Sequence, residues 1–108
     1  MREYPRQKGC DLQVLTAENY ENALTVAKVP SLVVFPAMSN FCGRKFDYQR
    51  WTKFSQNKGW SVLVDAASLV STSQLNLTEF NPNFVSVSFY KIFGYPTGLK
   101  NFIWLELL

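Results

Sequence analysis

The stretch VSVSFYKIFGYPTG, residues 85–98, places one lysine between an apolar strand and a loop rich in glycine and proline. The strand ends in Ser-x-x-Lys, and the glycines and proline after Lys91 predict a turn. An amine held at the end of a strand can form an imine with a carbonyl cofactor. A solvated loop lysine fits the same pattern, so spacing alone leaves both interpretations of Lys91 open.

A second informative stretch is WSVLVDAAS, residues 60–68, a short apolar run that ends in a carboxylate. The run predicts a buried strand, and Asp65 would lie at the sheet edge where open α/β folds bind their ligands. The small Ala66 and Ala67 would let a flat group approach the backbone there. The alternative is that Asp65 is a turn or helix-capping residue after a strand.

A third apolar run, SLVVFPAMSNFCG at residues 31–43, also leads into a loop with a polar residue, Asn40, and a glycine. Three strands thus direct polar groups toward one sheet edge. Short connections between strands and helices predict parallel pairing, so the fold class is α/β, with a mostly parallel sheet and flanking helices. The predicted helices are 18–28 and 46–56, and the predicted strands are 31–35, 61–64 and 84–89.

The second predicted helix carries aromatic residues on one face. Phe46, Trp51 and Phe54, together with Arg50, recur at helical spacing. Such a face is more typical of core packing than of a ligand site. Gly59 is expected to end the helix.

Taken together, SNFCG, VDAAS and SFYKIFGYPTG resemble the class V aminotransferases, and most closely the pyridoxal phosphate domain of the molybdenum cofactor sulfurases, which are related to the cysteine desulfurases. The resemblance runs from about residue 31 to residue 99. It implies one partial pyridoxal phosphate-dependent transferase domain over residues 1–108, which corresponds to part of the family's large domain. Residues 100–108 depart from the family and form a divergent tail, whose apolar residues could supply one strand.

The resemblance implies pyridoxal 5'-phosphate as the cofactor and assigns three residues to it. Lys91 is the catalytic lysine that forms the imine. Asp65 is the partner of the pyridine nitrogen, and this pairing keeps the ring cationic and able to accept electrons. Asn40 donates a hydrogen bond to the phenolic oxygen.

Three further residues are assigned by the same resemblance. Ser88 and Tyr90 stand where desulfurases carry the serine and histidine that hold the cofactor phosphate, and tyrosine is usual there in the sulfurase branch. Ser68 stands where many desulfurases have a glutamine that contacts the ring. No metal site is implied.

The activity implied is transfer of sulfur from L-cysteine to the molybdenum cofactor through an enzyme persulfide, in an enzyme that forms homodimers. The persulfide cysteine and several cofactor contacts are expected outside this chain, so the chain alone is expected to lack the full active site. One alternative is a truncated, non-catalytic fragment that binds or modulates a full-length partner. Another is a small binding module unrelated to the cofactor.

Composition narrows the choice of function. Of the 108 residues, 47% are hydrophobic and 18% charged, which describes a chain able to collapse into a core. The net charge of +3 is spread without a basic run, which argues against nucleic-acid binding. No apolar stretch reaches membrane-spanning length and no secretory signal is evident, so a cytoplasmic location is expected.

The cysteines and the absence of histidine exclude several kinds of catalytic and metal site within this chain. Cys10 and Cys42 are expected to be free thiols, and Cys42 does not match the family's persulfide cysteine. The chain has no histidine, which excludes Ser-His or Cys-His nucleophilic sites and mixed zinc sites within it.

Overall fold

The computed structural model describes residues 7–88 and the backbone of residues 100–104. In this part of the chain the element order is α1 (Tyr20–Val26), β1 (Leu32–Pro36), α2 (Tyr48–Asn57), β2 (Ser61–Asp65), β3 (Phe84–Ser88) and β4 (Lys100–Trp104). The strands form one sheet in the order β1-β2-β3-β4. The first three are parallel and β4 is antiparallel to β3. The predicted α/β class and mostly parallel sheet are therefore confirmed.

The boundaries of the elements differ from the predicted ones by one to a few residues. Helix α1 ends at Val26, because Ala27 is already extended, with ψ 129°. Pro30 lies three residues beyond and disfavours helical conformation in the residue before it. Strand β1 begins and ends one residue later than expected. Helix α2 is followed by Gly59 in the left-handed region at φ +83°, as the glycine predicted.

The core lies on one face of the parallel strands. Phe35, Val64 and Val85 are in register across β1, β2 and β3, and all three are buried. Leu69 and Phe80, from the irregular connection between β2 and β3, cover this face and are 1% and 2% exposed. Alternation along the strands places the next row, Pro36, Asp65 and Ser86, on the opposite face.

Helix α2 carries two small polar residues that are buried. Thr52 and Ser55 are buried, and their hydroxyls donate to the carbonyls of Tyr48 and Trp51, both at 2.7 Å. Each hydroxyl therefore has an acceptor inside its own helix, which removes the cost of burying it.

The predicted aromatic face packs into the core as expected, although Phe46 lies before the first residue of α2. The Trp51 ring lies 5.4 Å from both the Tyr20 and the Phe35 rings and 5.7 Å from the Phe46 ring, measured between centroids. Tyr20 also meets Phe54, so the rings join α1 to α2 and to the sheet. Arg50 departs from this face and pairs with Glu21 of α1.

The N-terminal end of the sheet is fixed by one side chain, Asn83. Its Oδ1 accepts hydrogen bonds from the backbone N–H of Val62 at 2.8 Å and from Nε2 of Gln56 at 3.2 Å. Gln56 Nε2 also donates to the carbonyl of Asn81 at 2.7 Å. Asn83 thus holds the start of β2, the end of α2 and the approach to β3 together.

Candidate functional site

The candidate site lies at the edge where the three parallel strands end. The ladder continues past the strand ends, because the N–H of Ala37 donates to the Asp65 carbonyl and the N–H of Ala66 donates to the Ser86 carbonyl, both at 2.9 Å. The ends of β1, β2 and β3 are therefore side by side. Loops that follow such ends form the usual ligand edge of an open α/β sheet.

Asp65 stands at the last position of β2 and is half-buried. Its Oδ1 accepts a hydrogen bond from the backbone N–H of Ala67 at 3.0 Å. This is the local turn contact that the alternative interpretation of the aspartate predicted. The same contact fixes the carboxylate at the ligand edge, so a turn role and a binding role for Asp65 are compatible.

Asn40 and Ser68 are brought together from two different loops. The Ser68 hydroxyl donates to Asn40 Oδ1 at 2.9 Å, although the two residues are 28 positions apart in the chain. Asn40 lies in the loop after β1 and is exposed, and Ser68 lies in the turn after β2 and is half-buried. Two of the residues assigned from the sequence are thus in direct contact.

The loop that carries Asn40 folds back on itself. The Phe46 N–H donates to the Ala37 carbonyl at 2.9 Å, and the Ser39 N–H donates to the Arg44 carbonyl at 2.8 Å. Gly43 closes the tip at φ +69°, a conformation that favours glycine. These bonds hold the backbone of the loop that carries Asn40, although the Asn40 side chain is exposed.

Ser88 ends β3 and is buried. Ser86, two residues earlier, lies in register with Asp65 on the next strand. The sequence reasoning did not select Ser86, although the alternation of Ser86 and Ser88 with valines would have placed both serines on the face that bears Asp65. Lys91 and Tyr90 lie outside the described residues, so their assignments stay predictions.

The cysteines Cys10 and Cys42 are both exposed free thiols, as expected. Hydrogen bonding from the Ser39 side chain is the main influence that lowers the pKa of the Cys42 thiol, with a smaller contribution from the backbone at Arg44. The Ser39 hydroxyl oxygen also accepts the N–H groups of Phe41 and Cys42, at 3.2 and 3.3 Å. A lowered pKa means a larger thiolate fraction at neutral pH.

The chemistry available at this edge is that of a carboxylate, an amide and hydroxyls. Asp65 can accept a hydrogen bond from a cationic N–H, and Asn40 and the serines can donate to oxygens. Among the described residues, His, Cys, Asp and Glu form no group of three suited to a metal ion. In the same part of the chain, no helix is both long and apolar enough to span a bilayer.

Comparison with known proteins identifies the family of this chain. The family model of the class V aminotransferases matches residues 6–101. The chain belongs to the class V aminotransferase family.

Curated relatives are named molybdenum cofactor sulfurase. The Caenorhabditis elegans protein is 56% identical over 69 residues, which is 64% of this chain and 10% of the relative. The Bombyx mori protein is 37% identical over an alignment that covers 92% of this chain and 15% of the relative. The chain therefore spans only about a tenth of the length of the first of these relatives.

Among solved structures, the ureidoglycine–glyoxylate aminotransferase of Bacillus subtilis shares the fold, with a TM-score of 0.69. The match covers 88% of this chain and 24% of that one, at 13% identity. At this identity the similarity concerns the fold alone, and it confirms the predicted part of a class V aminotransferase-like domain.

Proposed function

We propose that this chain carries the central part of a pyridoxal phosphate site that serves sulfur transfer of the molybdenum cofactor sulfurase type. The observation that carries the proposal is the hydrogen bond between Asn40 and Ser68, in the loops after β1 and β2, beside the strand end that carries Asp65. Family membership and the names of the curated relatives support it.

The described residues fit the cofactor's chemistry. A half-buried carboxylate, Asp65, suits the protonated pyridine nitrogen, and an amide, Asn40, suits the phenolic oxygen. The Asp65 carboxylate is already oriented through Ala67, so little rotational freedom is lost when the ring binds. When bound, pyridoxal phosphate supplies the electron sink that stabilises a carbanion at the substrate's α carbon.

The remaining assignments complete the proposed site. Ser88, at the end of β3, and Tyr90 would hold the phosphate, and Lys91 would anchor the cofactor through its amine and act as the catalytic residue. Ser68 contacts Asn40 and thereby belongs to the same site.

The proposed reaction takes sulfur from L-cysteine and delivers it to the molybdenum cofactor through a cysteine persulfide, with alanine as the second product. The chain's own contribution to this reaction is the orientation of the cofactor by Asp65 and Asn40 and its attachment at Lys91. The proposed setting is a cytoplasmic homodimer.

A titration of the full 108-residue chain with pyridoxal phosphate, followed by absorbance, tests this proposal. Asp65→Asn is expected to weaken binding about tenfold or more, because the partner of a cationic N–H loses its charge. The matched control is Asp11→Asn, the same change at an exposed residue of the N-terminal segment, which should leave binding unchanged. Equal affinity of all three proteins would contradict the role of Asp65.

The alternative of a non-catalytic fragment that binds or modulates a full-length partner makes a different prediction. In that case the chain would associate with a full-length sulfurase whether or not pyridoxal phosphate is present, and Asp65→Asn would not affect the association. The same pair of variants therefore separates the two functions.

A further inference from the structure

Two polar side chains lie side by side near the end of the sheet, one on β2 and one on β3. Asp65 and Ser86 are in register across these parallel strands, and the N–H of Ala66 donates to the Ser86 carbonyl at 2.9 Å. Both Asp65 and Ser86 are half-buried. Paired strands lie about 4.8 Å apart, and side chains in register leave the sheet on the same face. The Ser86 hydroxyl and the Asp65 carboxylate are therefore neighbours on one face of the sheet.

The described residues hold the Asp65 carboxylate at one of its two oxygens. Oδ1 accepts a hydrogen bond from the N–H of Ala67 at 3.0 Å. Within residues 7–88, neither Oδ2 nor the Ser86 hydroxyl has a hydrogen-bond partner. On the other side of Asp65 the register position belongs to Pro36, whose side chain has no donor. Of the two residues paired with Asp65 on its neighbouring strands, only Ser86 can donate a side-chain hydrogen bond to Oδ2.

We propose that Ser86 is a positioning residue for Asp65: its hydroxyl donates to Oδ2 and, with the Ala67 N–H on Oδ1, holds the carboxylate in the orientation that receives the cofactor's pyridine nitrogen. This inference rests on the proposed function. Rotation about the single side-chain bond of Ser86, between staggered positions, directs the hydroxyl at the neighbouring strand. A carboxylate has about four acceptor sites, so two protein donors leave room for the N–H of the ring. Ser86 itself does not contact the cofactor.

The hydrogen bond is tested first without cofactor, through the carbon-13 resonance of the Asp65 carboxylate in NMR spectra of the full chain at neutral pH. Ser86→Ala should shift this resonance, and Ser86→Thr, which keeps the hydroxyl and suits a strand, should restore it. The matched control is Ser61→Ala, the same change at a half-buried serine on the same face, at the other end of β2. A resonance that stays in place in Ser86→Ala, or that Ser61→Ala moves equally, would overturn the hydrogen bond.

The link to the cofactor is tested by titration with pyridoxal phosphate. Ser86→Ala should weaken binding about fivefold, the value of one hydrogen bond, with recovery in Ser86→Thr. In an Asp65→Ala background the same substitution should have no effect, because the residue through which Ser86 acts is gone. An equal loss in both backgrounds would show that Ser86 acts by another route. Unchanged affinity in Ser86→Ala would show that it does not serve the cofactor.

A cofactor analogue shows whether the effect passes through the ring nitrogen. The deaza analogue of pyridoxal phosphate has a C–H group in place of that nitrogen, so it offers no N–H to Asp65. Ser86→Ala should leave binding of the analogue unchanged, and an equal loss for both compounds would contradict a role through Asp65. Failure of the unsubstituted chain to bind pyridoxal phosphate would instead contradict the proposed function, and the NMR comparison still decides the Ser86–Asp65 hydrogen bond.

Discussion

The carboxylate of Asp65 accepts a hydrogen bond from the N–H of Ala67 at 3.0 Å, so the last side chain of β2 closes the turn that follows the strand. The two roles depend on different properties of the group. The turn needs an acceptor oxygen, and the proposed contact with a pyridine nitrogen needs a negative charge.

Substitutions at Asp65 should separate these roles. Asp65→Asn keeps the acceptor oxygen, so its free energy of unfolding should stay within about 0.5 kcal/mol of the original, while cofactor affinity falls. Asp65→Ala loses the acceptor as well and should cost about 1 kcal/mol of stability. Urea unfolding of the ligand-free chain measures both values. A destabilisation by Asp65→Asn as large as that by Asp65→Ala would contradict the separation.

A structural prediction concerns Asn83. Asn83→Ala removes the acceptor of the Val62 N–H, and Val62 is fully buried. A buried donor left without a partner costs about 2 kcal/mol, so the urea midpoint should fall clearly. Asn83→Asp keeps an acceptor oxygen at the same place and should lose much less. Equal losses in the two variants would mean that side-chain volume, and not the hydrogen bond, is what Asn83 contributes.

The core prediction uses two phenylalanines that differ in burial. Phe80 is 2% exposed and its ring meets that of Tyr48 at 5.0 Å, whereas Phe41 is fully exposed. Phe80→Ala should cost about 3 kcal/mol of stability, a large fraction of the roughly 5–15 kcal/mol that stabilises a typical domain. Phe41→Ala, the same change at an exposed position, should leave the free energy of unfolding unchanged. Circular dichroism during urea unfolding distinguishes them, and similar losses would contradict the described core.

The amino-acid sequence allowed the strands to be predicted because each is a short apolar run bounded by proline, glycine or polar residues. It also allowed the common edge of the strand ends to be predicted, since parallel strands end together and the polar residues follow their ends. The Ser68–Asn40 bond and the role of Asn83 could not be predicted. Both join residues more than twenty positions apart, and such contacts depend on how the elements pack.

The position of Ser86 illustrates the same limit. Alternation along β3 shows which residues share a face, but the register that sets Ser86 beside Asp65 comes from pairing with β2. The predicted end of helix α1 was wrong for a local reason. Hydrophobic periodicity does not show where the backbone becomes extended before Pro30.

The rate at which the Cys42 thiol is alkylated should depend on pH in a characteristic way. Because the pKa of the Cys42 thiol is lowered, chiefly by the Ser39 side chain, its thiolate fraction rises at lower pH than that of an ordinary cysteine. Alkylation of Cys42 by iodoacetamide at neutral pH should therefore be faster than that of Cys10, which is exposed as well. Ser39→Ala should shift the Cys42 profile to higher pH. Equal rates before and after this substitution would contradict the influence of Ser39.

We propose that this chain forms a pyridoxal phosphate site with Lys91 as its anchor. The most direct measurement is to mix the full chain with pyridoxal phosphate, reduce with borohydride and locate the added mass by peptide mapping. Labelling should be confined to Lys91, absent in Lys91→Ala, reduced in Asp65→Ala and unaffected by the control Lys58→Ala in the turn after α2. Labelling spread over many lysines, or labelling of Lys91 that is insensitive to Asp65, would contradict the claim.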